Sequence, residues 1–162
     1  MKQLTLLLMR HAEAETATAG DPDIDRALSA RGRTEAIDAA DCIAGANLRV
    51  ELMLVSPARR TRETALILAA ALDMADEFQI EPTLYPGETE TLLERVQRCD
   101  SEAARTVLMV GHNPAMSALA QRLGGNGRPM ELPPAGLCRL EFENDCWSQV
   151  RAATALAVTR LR

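Results

Sequence analysis

The chain has 162 residues, of which 47% are hydrophobic and 25% charged, and its formal net charge is −5. That length suits one domain burying roughly two-thirds of its unfolded surface, so residues 1–162 are read as a single domain. The negative balance argues against a protein held to nucleic acid by its overall field, and an aromatic content of 2% leaves few platforms for stacking bases.

The apolar run Leu4-Thr5-Leu6-Leu7-Leu8-Met9 reads as a strand buried on both faces, and it stops abruptly at Arg10-His11. It is too short to span a membrane and carries no small-residue cleavage site. The four cysteines, Cys42, Cys99, Cys138 and Cys146, fall in no CxxC pattern and are read as reduced and structural. Together these features make a cytoplasmic location, away from membranes, the expectation.

Residues 12 to 28 are small, acidic and turn-rich, the pattern of a surface loop. Ser29 can cap a following helix whose Ala36, Ile37, Ala40, Ile43 and Ala44 share one face and which Gly45 ends. Leu52 to Val55 form a second strand. The charged turn "SPARRTR" leads into a helix on which Ala65, Leu68, Ala69 and Leu72 recur at helical spacing. Phe78 to Glu81 read as a short third strand, followed by Pro82, Pro86, Gly87 and a modest helix through Leu92, Leu93 and Val96.

Thr106 to Val110 give another buried strand that runs into Gly111-His112-Asn113-Pro114. The next helix carries Met116, Leu119, Ala120 and Leu123, with Asn113 as its cap, Pro114 at its first position and Gly124 past its end. "GLCRLEFE" and "CWSQVRAA" read as closing strands around the Asn144-Asp145 turn. Strands alternating with helices imply a three-layer α/β/α sandwich with a mainly parallel central sheet.

Three of these strands run directly into a turn bearing histidine or arginine: Arg10-His11, "SPARRTR" and Gly111-His112. In an open α/β sheet the carboxyl ends of parallel strands share one edge, where ligands bind, so residues far apart in the chain should meet there. Both histidines of the chain sit at such tips. Guanidinium forks match phosphoryl oxygens, and each hydrogen bond to a charged group contributes about 1.5–3 kcal/mol, which makes phosphate the expected guest. Gly111 would let the backbone approach it closely. No metal is expected, because guanidinium repels cations and no HxxxH or CxxC spacing supplies ligands; no P-loop occurs either, and no cofactor is called for. A neutral imidazole can itself attack phosphorus and form a phosphohistidine intermediate that water then hydrolyses.

These residues resemble the histidine phosphatase superfamily, whose members include phosphoglycerate mutase-like folds. The resemblance rests on "LMRHAEAE", "SPARRTRETA", "VGHNP" and "DRALSARG", in matching order over roughly residues 4 to 124. It implies His11 as nucleophile, with Arg10, Arg60 and His112 binding the phosphoryl group and stabilising its transition-state charge. Counting from Ser56 selects Arg60 over Arg59 and Arg62, which are read as a solvated helix face near Glu63.

Larger members of the superfamily carry a lid insertion that supplies a glutamate acid. About 40 residues between Ala65 and Val107 leave no room for it, so an open pocket is expected. Short length and "DRALSARG" resemble the SixA-type phosphohistidine phosphatases, which implies a phosphohistidine-bearing phosphotransfer or phosphocarrier protein as substrate. Such a leaving nitrogen has less need of a positioned acid than an alkoxide has. Glu88 is the candidate acid by chain order, or else a helix-start acid favoured by the dipole; Arg26 is read as either a surface ion pair or a contact at the substrate edge. The rival readings are a small-molecule phosphomonoesterase or mutase of the same superfamily, and a non-catalytic phosphate-binding module.

Overall fold

The first apolar run forms strand β1, Lys2–Arg10, at the heart of the sheet; Leu4, Leu6, Leu7, Leu8 and Met9 have no exposed surface. The computed structural model of the chain describes residues 1–74, 78–125, 127 and 129–162. The remaining strands are β2 (Leu52–Val55), β3 (Gln79–Ile80), β4 (Thr106–Gly111), β5 (Leu137–Asn144) and β6 (Ala157–Arg160). The helices are α1 (Ala30–Gly45), α2 (Arg59–Ala71), α3 (Thr89–Gln97) and α4 (Ala115–Gly124). Short 3-10 turns lie at Asp23–Asp25, Pro82–Leu84 and Trp147–Gln149.

The six strands join in the order β3-β2-β4-β1-β5-β6. Strands β3, β2, β4 and β1 run parallel, β5 returns antiparallel beside β1, and β6 pairs antiparallel with β5. Alternation along β1 sends side chains to opposite faces. Leu4, Leu6 and Leu8 enter a core with Leu92, Val96, Met116, Leu119, Leu123, Phe142 and Trp147, under α3 and α4. Leu7 and Met9 enter a second core with Ala36, Ala40, Ile43, Ala65, Leu68 and Ala69, under α1 and α2. This is the expected three-layer sandwich with a mainly parallel sheet.

The molecule corrects the element reading in several places. "CWSQVRAA" is not a strand: Trp147 plugs one core, its Nε1 donating to the Ala104 carbonyl at 2.8 Å, and the closing strand β6 begins only at Ala157. In α1 the buried face is Gly32, Glu35, Ala36, Ala39, Ala40 and Ile43, whereas Ile37 and Ala44 are exposed. Gly45 is the last helical residue, and Asn47, at φ 53°, makes the left-handed turn. In α4 the cap positions shift by one: Pro114 is the N-cap and Gly125, at φ 63°, the C-cap, while Asn113 Oδ1 still accepts from the Ser117 backbone N–H. The third strand is shorter than Phe78 to Glu81, because only Gln79 and Ile80 pair with β2.

Residues 12 to 28 are a loop, as expected, but a fastened one. Ala14 bridges Leu28, the Leu28 N–H donates to Glu63 at 2.8 Å, and the Glu13 N–H donates to the buried Glu35 at 3.0 Å. Ser29 caps α1 by accepting from the Gly32 N–H at 3.0 Å. A Cβ at Gly32 would collide with the Glu13 carbonyl oxygen. Gly32→Ala is therefore expected to destabilise by about 1–3 kcal/mol through overpacking. Gly45→Ala, which meets nothing within 4 Å, should instead stabilise by up to about 1 kcal/mol. Urea-unfolding midpoints of the two variants should move in opposite directions.

Candidate functional site

The register Arg10↔Gly111 puts the ends of β1 and β4 side by side, so the residues just beyond them, His11 and His112, become neighbours. Their ring centroids lie 5.2 Å apart. The His11 N–H continues the ladder to the Gly111 carbonyl at 3.0 Å, and the Ala12 N–H donates to Thr64 Oγ1 at 3.2 Å. Ser56, just past the end of β2, donates its N–H to the Val110 carbonyl at 3.1 Å, and Thr61 Oγ1 donates to the Ser56 carbonyl at 2.7 Å. That turn starts α2 with Arg60 facing inward.

Helical geometry separates the three arginines of that turn. Arg60, Thr61, Thr64 and Ala65 share the buried face of α2, whereas Arg59 and Arg62 are exposed and Arg59 pairs with Glu63 at 2.8 Å. The guanidinium of Arg60 spans the pocket. Its Nε donates to His11 Nε2 at 3.3 Å, its Nη2 to His112 Nδ1 at 3.3 Å and to Asp23 Oδ2 at 3.0 Å, and its Nη1 to the Asp23 carbonyl at 2.8 Å. Arg10 also lines the pocket; its Nη1 donates to the Leu132 carbonyl at 3.2 Å, while its buried Nε has no partner among the described residues.

The hydrogen bonds fix which nitrogen of His11 carries the proton. Its Nδ1 lies 2.7 Å from the Ala12 carbonyl, an acceptor only, so Nδ1 carries the proton and Nε2 presents a lone pair to the pocket. Burial, with Arg60 and Arg10 nearby, pushes the pKa of His11 down to about 4. Burial pushes His112 down to about 3, with His11 and Arg60 adding to the effect. His112 Nε2 is 2.7 Å from Ser56 Oγ, and Nδ1 accepts from Arg60, which makes Nε2 the protonated nitrogen here.

A consequence for stability follows with a definite sign. Both rings would ionise near 6.5 in the unfolded chain but only near 4 and 3 in the folded protein. The unfolded chain therefore binds more protons in that window, so stability is full above about pH 6.5 and falls as the pH drops toward 4. Denaturant midpoints at about pH 7 and about pH 5 should show the loss at the lower pH; equal midpoints would contradict it.

The pocket has a volume of about 480 Å³ and includes Arg10, His11, Glu13, Asp23, Arg26, Arg60, Tyr85 and His112 among its walls. It thus brings together His11, Arg10, Arg60, His112 and Arg26. Arg26 pairs with Asp23 Oδ1 at 3.1 Å and also lines the cavity. Glu88 does not join them: it is exposed at the N-cap of α3 and is not among the lining residues. A Cβ added at Gly111 would meet the flexible end of the Met116 side chain.

Sequence reasoning missed Asp23 and Tyr85. Tyr85 is the chain's single tyrosine; its hydroxyl donates to Asp23 Oδ2 at 3.1 Å, and its ring meets His112 edge-on with centroids 5.5 Å apart. The available signal for Asp23 was its place three residues before Arg26. Among the described residues, no cluster of three or more His, Cys, Asp or Glu side chains is arranged to hold a metal ion, and no helix is long and apolar enough to cross a membrane.

Comparison with known proteins agrees with this geometry. An uncharacterized protein of Picosynechococcus is 30% identical over 140 residues, covering 85% of this chain and 84% of the relative. The phosphohistidine phosphatase SixA of Escherichia coli is 27% identical over 132 residues, covering 81% and 78%. Among solved structures, a SixA from Agrobacterium tumefaciens is 30% identical with a TM-score of 0.78, covering 95% of this chain and 97% of that one. A SixA complexed with tungstate, at 21% identity, shares the fold with a TM-score of 0.82 over 98% and 97%. Residues 6–92 match the histidine phosphatase superfamily (branch 1), and with that match the chain belongs to this superfamily, as a SixA-type member with the phosphoglycerate mutase-like fold.

Proposed function

We propose that the protein hydrolyses phosphohistidine on a partner protein, a phosphotransfer or phosphocarrier protein, through a covalent intermediate on His11. The observation that carries this reading is the hydrogen bond from His11 Nδ1 to the Ala12 carbonyl, which leaves a neutral Nε2 lone pair against the Arg60 guanidinium. Nε2 attacks phosphorus in line with the leaving nitrogen, and water later releases phosphate from His11.

Arg10, Arg60 and His112 hold the phosphoryl oxygens. Arg60 already touches both rings with charged donors, Nε at His11 and Nη2 at His112, and the Nε of Arg10, without a partner among the described residues, adds donor capacity to the same pocket. An oxyanion seated beside His112 Nδ1 turns that nitrogen from acceptor to donor: the dianion favours the protonated ring, which Ser56 Oγ anchors from behind. Charge stabilisation rests on guanidinium groups, so activity should persist in a chelator.

Substrate choice follows from the proton that the leaving group needs. Glu88 lies outside the pocket and Asp23 in its wall is held ionised by Arg26 and Arg60, which disfavours an ester that needs its leaving oxygen protonated relative to a phosphoramidate. Turnover of a phosphohistidine protein and of sugar phosphates, measured side by side, tests this. Preference for the phosphohistidine protein is expected; preference for sugar phosphates would assign a small-molecule phosphomonoesterase, and tight phosphate binding without turnover a docking module.

A further inference from the structure

Asp23 stands at the mouth of the pocket, although capture of a phosphoryl dianion gives no reason for a carboxylate there; like charges repel. Burial alone would raise its pKa, but hydrogen bonds from Arg26 and Arg60, with Tyr85 joining them, hold the carboxyl below its ordinary value. A group held ionised has no proton to give near neutral pH. It can only accept. Its two oxygens take one bond from Arg26, one from Arg60 and one from Tyr85, whereas a carboxylate offers about four lone-pair sites. The side chain is 52% exposed, so the remaining capacity is open to an arriving group.

Resting on the reading that the substrate is a phosphohistidine, we infer that Asp23 determines specificity by engaging the leaving group: its carboxylate accepts the N–H of the substrate ring's second nitrogen. In the transfer step the His11 Nε2 lone pair forms the new N–P bond while the P–N bond to the substrate ring breaks. The bonding pair stays on the substrate nitrogen. The N-phosphorylated ring reacts as its imidazolium, with a proton taken from solvent on its other nitrogen, so it departs as neutral imidazole rather than imidazolate. No acid in the pocket has to deliver a proton. A carboxylate facing that N–H favours the protonated ring, as an aspartate favours an imidazolium in hydrolytic triads. An alkyl phosphate gains nothing from an ionised Asp23, and a substrate with its own carboxylate is repelled by it and by Glu13.

The test compares the parent chain with Asp23→Asn and Asp23→Glu on phosphoimidazole, a phosphohistidine peptide and p-nitrophenyl phosphate, across the imidazole titration range. The groups facing Asp23 over that range are Arg26 on its own loop, Arg60 on α2 and Tyr85 beyond the Pro82–Leu84 turn, with Arg10, His11, Glu13 and His112 around the wall. p-Nitrophenolate leaves without a proton, so its turnover reports folding and phosphoryl capture. Asp23→Asn is expected to lose at least about tenfold more kcat on the two N-phosphorylated substrates than on the aryl ester, increasingly toward alkaline pH, with Asp23→Glu recovering part of it. Equal losses on all three substrates would show that Asp23 only positions Arg60, and no loss on any would remove its role; both overturn the inference. A parent chain that hydrolyses the aryl ester but neither N-phosphorylated compound would instead overturn the phosphohistidine reading itself.

Discussion

Replacing His11 by alanine is expected to reduce turnover by roughly 10⁴-fold or more, the scale seen when a covalent nucleophile is deleted. The ring sits where no neighbour can substitute for it: Nδ1 is fixed by the Ala12 carbonyl, and only Nε2 faces the guanidinium. His112 is committed otherwise: its Nε2 is turned away toward Ser56 Oγ, and its Nδ1 is held by Arg60 beside the phosphoryl oxygens. Labelling with a phosphorylated substrate and quenching in alkali should trap an acid-labile phosphoryl group on the parent chain and none on His11→Ala. Parent-level hydrolysis by the variant would refute covalent catalysis at this residue.

Arg60→Lys should lose about 10²–10³-fold in kcat/KM despite keeping the charge. The planar fork of Arg60 reaches His11, His112 and Asp23 at once, from a side chain only 7% exposed. An ammonium at the end of a flexible stem can meet one or two of those directions, and in this burial it also loses hydration. Tungstate provides a second readout that needs no turnover. Its competitive inhibition should weaken in Arg60→Lys and stay nearly unchanged in Arg59→Lys, whose side chain is paired with Glu63 on the outer face.

The strands were legible because burial on both faces writes itself as uninterrupted apolar residues, and the carboxyl-edge rule then brought His11, Arg60 and His112 together. The end of the chain was not. Cys146, Trp147 and Val150 look like alternation in a strand, but Trp147 serves as a plug over Phe142, with ring centroids 6.5 Å apart. Strand β6 has four residues at the sheet's edge, too few for a period to emerge. In α1, Ile37 looks apolar enough to face inward, yet the buried stripe is narrow and built from alanines, so it faces solvent.

Asp23 and Tyr85 were hidden for a different reason. Their meeting depends on how two connections fold back over the sheet edge, and that path is set by anchors such as Leu28 to Glu63 and Glu13 to Glu35 rather than by any local period. Glu88 answers to the second of its two readings, a helix-start acid. Position along the chain suggested an acid near the phosphoryl group, whereas the turn through Pro82–Leu84 presents Tyr85 to the pocket and leaves Glu88 at the start of α3.

The pairing of Arg10 with Gly111 means that the gap between the two imidazoles descends from the interval between adjoining strands, near 4.8 Å in any sheet. To part the rings, the two innermost strands would have to separate, so that spacing should survive every fluctuation short of global unfolding. Arg26, Asp23 and Tyr85 hang on loops that can be rebuilt without disturbing it. Descendants of such a scaffold could trade clients while their reactive centre stood still.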